Sequence, residues 1–127
     1  MLALNGCSPQ PITQDRLVSS FRSVASSAAE AELLLDRLQR GEATSVYART
    51  YADSLADAIR QNRRELQGHP PAKGLEPAFT ECSREYELLF ESVNGLTKSL
   101  HNRNALAAAK ARIAAIRKTA ERSRAAL

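Results

Sequence analysis

Tryptophan is absent, methionine occurs only at the start, and tyrosine and phenylalanine together supply 5% of the 127 residues. A core built from such a chain is thin and aliphatic, and the lack of any Cys-x-x-Cys-His or internal methionine leaves haem without its usual attachment. Only two cysteines are present, Cys7 and Cys82. They lack the paired spacing of a disulfide framework or a zinc site. No stretch approaches the roughly 18 consecutive apolar residues that span a bilayer. Glycine-rich phosphate loops, Gly-x-Ser-x-Gly nucleophile turns, and the Glu-x-x-His pairs of di-iron bundles are all missing. The expectation is a protein that is not an enzyme and carries no cofactor or metal.

What is present is helical. Proline and glycine cluster in short zones and leave long uninterrupted segments between them. From Gln14 to Arg40, with Thr13 as N-cap and Gly41 just beyond the end, Leu17, Phe21, Val24, Ala28, Ala31, Leu35 and Leu38 recur at steps of four and three. From Ala43 to Gln67 a stripe runs Tyr47, Tyr51, Leu55, Ala58, Ile59 and Leu66. Asn62 interrupts it and is expected to reach solvent. A third helix has Pro77 in its first turn and the stripe Phe79, Cys82, Tyr86, Leu89, Val93, Leu96 and Leu100, with Asn94-Gly95 as a kink or end. Continuing that register past Leu100 would turn Arg103 and Lys110 inward. A new stripe at Leu106, Ala109, Ile113, Ile116 and Ala120 therefore places a turn at residues 101–104. The fold class is all-α, an up-down four-helix bundle. The alternative is three helices, the last one running unbroken to the C-terminus.

The net charge of +4 is unevenly spread. Residues 101–127 hold 7 basic groups and 1 acidic one, whereas the first 100 residues are net acidic. Arg112, Arg117, Lys118, Arg122 and Arg124 are thus the candidate contacts for a partner or an anionic surface. Pairing inside the bundle also accounts for them: folding back near residue 102 sets Glu87 beside Arg117, Glu81 near Arg122, and Glu85 near Lys118. Nucleic acid is disfavoured because the helix has no aromatic residue for stacking. Asp53 and Asp57, four residues apart, lie opposite the apolar stripe among arginines and read as solvated surface. His69 and His101 fall in loops at opposite ends of such a bundle, too far apart to share a metal.

The N-terminus adds one motif. Leu4-Asn5-Gly6-Cys7 resembles the lipobox of small bacterial lipoproteins, in which a cysteine is diacylated and becomes the mature N-terminus. Ser8-Pro9-Gln10-Pro11 then suits a short polar tether. Asn5 is imperfect, and the basic and apolar regions of a signal peptide are missing, so the expected start lies upstream of Met1. On this reading residues 1–12 are a signal remnant and tether, and residues 13–127 form one bundle domain. The resemblance implies lipidation at Cys7, a location on the periplasmic side of the cell envelope, and membrane attachment through that lipid. The function expected is a binding or adaptor protein for another protein of unknown identity, with an oligomer possible. The alternative is a cytosolic helical scaffold whose basic C-terminal helix contacts nucleic acid or a protein partner.

Overall fold

The structure, a computed structural model, describes residues 9–127. Cys7 and the lipobox-like stretch lie outside the described residues. Four α-helices follow in order: α1 (Gln14–Gln39), α2 (Ser45–Gln67), α3 (Glu76–Asn94) and α4 (Arg103–Ala125), with a 3₁₀ turn at Gly95–Lys98 after α3. Side chains cap three of the starts. The Thr13 hydroxyl accepts from the Arg16 amide at 3.2 Å, Thr44 from Tyr47 at 3.1 Å, and Asn102 from Ala105 at 3.0 Å. The Asn102 cap settles the question at the C-terminal end. The last two helices are separate, because the chain turns through residues 99–102 and re-nucleates, and the three-helix alternative is excluded.

The connection through residues 68–75 can span at most about 28 Å, less than the roughly 34 Å length of α2, so α3 must run back along it. The result is an up-down bundle. Contacts are most extensive between α1 and α4 and between α2 and α3; α1 also touches α3 across the bundle, whereas α2 and α4 barely meet. The cross-section is therefore a rhombus, with α1 the crest of a broad face flanked by α2 and α4. Its core is aliphatic, with Leu17, Val24, Leu35, Leu89 and Ile113 fully buried beside Phe21. Cys82 sits in it as a small hydrophobe, as its place on the stripe indicates.

Two features depart from the sequence pattern. Ile12, on the tether side of the expected boundary, is 3% exposed; its amide donates to the Pro70 carbonyl at 2.7 Å and its carbonyl accepts from the Ala72 amide at 3.0 Å. The segment entering α1 is thereby fixed to the α2–α3 loop. Helix α2 is rotated from its expected phase: Ala48, Ala52 and Ala56 join Leu55, Ile59 and Leu66 inside, while Tyr47 is 47% exposed and Ala58 lies on the surface. Small residues let α2 approach α3 closely, and a tyrosine hydroxyl buried there would need a partner.

Candidate functional site

The five basic residues of α4 do not form one surface. Arg117 points into the α1–α4 seam, where its Nε donates to Glu32 at 2.5 Å and its Nη1 to Glu121 at 3.2 Å, and these carboxylates raise its pKa. Two turns away along α4, Lys110 donates to Asp36 and holds that carboxyl below its ordinary range. Arg124 lines the same groove farther along, beside Arg22. Arg122 folds onto Thr119 on the α3 side, near enough to Glu85 to act on its charge, while Arg112 and Lys118 are exposed. The expected ion pairs with the glutamates of α3 are absent among the described residues. Helix α4 packs mainly on α1, and the acids facing it there are Glu32 and Asp36.

The isolated candidates resolve into structural roles. Asp57 pairs with Arg60 at 2.9 Å on the surface, one turn from Asp53. His69 Nδ1 is 3.0 Å from the Gln10 carbonyl and helps hold the entering segment. Asn62, expected in solvent, is half-buried and donates to the Ser23 hydroxyl at 3.2 Å, tying α2 to α1. Position 62 lies on the α1 flank of α2, on the same side as Tyr51 and Ala58, where Ser23 is within reach. Among the described residues no three His, Cys, Asp or Glu side chains gather at metal-binding distance.

Three recesses follow one seam that the charge pattern did not indicate. It is the seam between α1 and α2. At the end remote from Ile12 it is lined by Leu33, Leu34, Tyr47 and Tyr51, with the two tyrosine rings 5.9 Å apart and the Tyr51 hydroxyl donating to Glu30 at 3.4 Å. It continues past Ser54 and Ala58. Toward Ile12 it widens into a polar recess of ≈ 320 Å³ walled by Arg16, Ser19, Ser23, Asn62 and Glu65. Tyr86 closes the floor, its hydroxyl donating to the Ser20 carbonyl at 3.2 Å. Desolvation raises the pKa of both Tyr51 and Tyr86, so they act as neutral hydrogen-bonding groups. The sequence signal for this groove was the α2 stripe itself, read as core.

Glu85 is the one buried acid. It is 2% exposed, and its Oε1 has no hydrogen-bond partner. Burial and the neighbouring Glu81 carboxylate push its pKa up to about 8, against the weaker pull of Arg84 and Arg122. No known protein family matches the chain, and neither does any characterised protein or solved structure.

Proposed function

We propose that this chain is a lipid-anchored helical bundle of the bacterial cell envelope that acts by binding a protein partner in the α1–α2 groove. The observation that carries the binding role is the surplus apolar stripe of α2. Tyr47, Tyr51 and Ala58 follow core spacing, yet they line an open seam, with Leu33 49% exposed beside them. The apolar, aromatic-lined part of the seam, from Tyr47 to Ala58, runs about 16 Å along α2, and three turns of groove suit the apolar face of a short amphipathic helix. The anchor rests on Leu4 to Cys7. From Cys7 to the fixed Ile12 the chain reaches about 17 Å at most, so an acyl group on Cys7 would keep the bundle against the bilayer.

Mass spectrometry of the protein from its native cells tests the anchor. A diacylglyceryl group on an N-terminal Cys7 is expected. A chain extending through Met1 with a free Cys7 thiol would leave the groove in a cytosolic scaffold instead.

A further inference from the structure

We propose that a second copy of this chain packs on the crest of α1, antiparallel helix on helix, about a two-fold axis beside Ser26. Positions 15, 19, 22, 26, 30, 33 and 37 are spaced by four and three residues and therefore share the outer face of α1. All of them are exposed. Counted outward from Ser26, Arg22 and Glu30 stand four residues away on either side, and Asp15 and Arg37 stand eleven away. A two-fold axis at Ser26 therefore sets Arg22 against Glu30 of the second copy, and Asp15 against Arg37, each meeting an opposite charge. The same operation lays Leu33, 49% exposed, over the small Ser19.

The pattern suits a self-contact. Its charges read from one end repeat from the other with the sign reversed, so an isologous interface pairs each with its opposite. None of Asp15, Arg22, Glu30 and Arg37 forms an ion pair among the described residues; Glu30 has only the 3.4 Å contact from the Tyr51 hydroxyl. By contrast, Glu32 and Asp36, on the flank of the same helix, are both engaged by α4. The rhombic cross-section supplies the access. Because α2 and α4 stand apart on either side, the crest of α1 meets an incoming helix first. Serine at the axis allows the two helices the roughly 8–10 Å separation of packed helices over about 33 Å of length.

Exposed ion pairs contribute little each, so the dimer is weak and shows at the upper end of the protein concentration range. Sedimentation equilibrium of the unacylated chain at 0.15 M salt, from about 10 μM to 1 mM, reads it directly. R22E or E30R alone sets like charges together and is expected to weaken the dimer about tenfold, while the R22E/E30R double variant recovers to within about threefold of the original. R112E, on α4, should leave it unchanged, and thermal melts confirm that each variant folds. A monomer throughout, single reversals without effect, or a double variant that stays as weak as the singles would each overturn the proposal. The assay needs neither the lipid nor a partner, so its outcome is separate from that of the groove and the anchor.

Discussion

At residue 85 the fold holds a carboxyl in a setting that disfavours its charge. The folded-state pKa is about 8, against an ordinary 4.5. Between those values the unfolded chain releases the proton while the folded one keeps it, so the unfolded state binds fewer protons and stability falls as pH rises. Below the ordinary value both states are protonated and the effect is absent. Glu85→Gln keeps the shape and removes the ionisation. Melting curves should show a Tm raised by roughly 5 °C or more near pH 8.5, and little change near pH 4.5. An equal shift at both pH values would mean that packing, and not charge, sets the effect. Cys82 offers a second check at this scale. Burial pushes its thiol up to about 12, with Glu85 and Glu81 adding to the effect, so the folded protein presents almost no thiolate there. Peptide mapping after alkylation at neutral pH should find Cys82 unmodified until denaturant is added.

Among the elements, α4 depends on its cap and on its seam with α1. Removing the Asn102 side chain, which accepts from the Ala105 amide, should cost about 1 kcal/mol in urea unfolding. The Glu32–Arg117 pair, more shielded than Asp36–Lys110, should contribute no more than about 1 kcal/mol when broken by Glu32→Gln. Much of this level was legible in the sequence. The stripes of α1, α3 and α4 are buried except for Leu38 and Phe79, which are half-buried; Thr13 caps α1, and α3 ends at Asn94 before Gly95 as one of two readings had it. Two relations between helices were not. Alanines occupy the neighbouring face of α2 as well as the tyrosine stripe, and apolar spacing alone cannot choose which face goes in. Packing makes the choice: Ala48, Ala52 and Ala56 are buried, and Tyr47 stays half-exposed. Likewise acids occur on three helices, and charge complementarity alone did not single out Glu32 and Asp36 of α1 as the partners of α4. That pairing follows from which helices pack most closely, a tertiary property.

For the whole molecule, the rhombic packing sets two adjoining surfaces on the broad face. The crest of α1 carries the self-complementary charges, and the seam beside it carries the apolar groove; Glu30, Leu33 and Arg37 border both. The basic excess that distinguishes the C-terminal quarter is partly consumed by α1, with Arg117 and Lys110 engaged there. The groove proposed here for a partner lay in the sequence in disguise, as a stripe of core spacing. Tyr47→Ala should alter stability by less than about 1 kcal/mol, since the ring is largely on the surface, while removing an aromatic anchor from the groove.

Photo-crosslinking in native cells reaches the central claim most directly, with a photoreactive residue placed at Tyr47, at Ala58 or, as a control away from the groove, at Arg112. Positions 47 and 58 should trap the same discrete protein adduct in the membrane fraction, and position 112 should not. Adducts of equal yield at all three positions, or none at 47 and 58, would contradict a partner seated between α1 and α2.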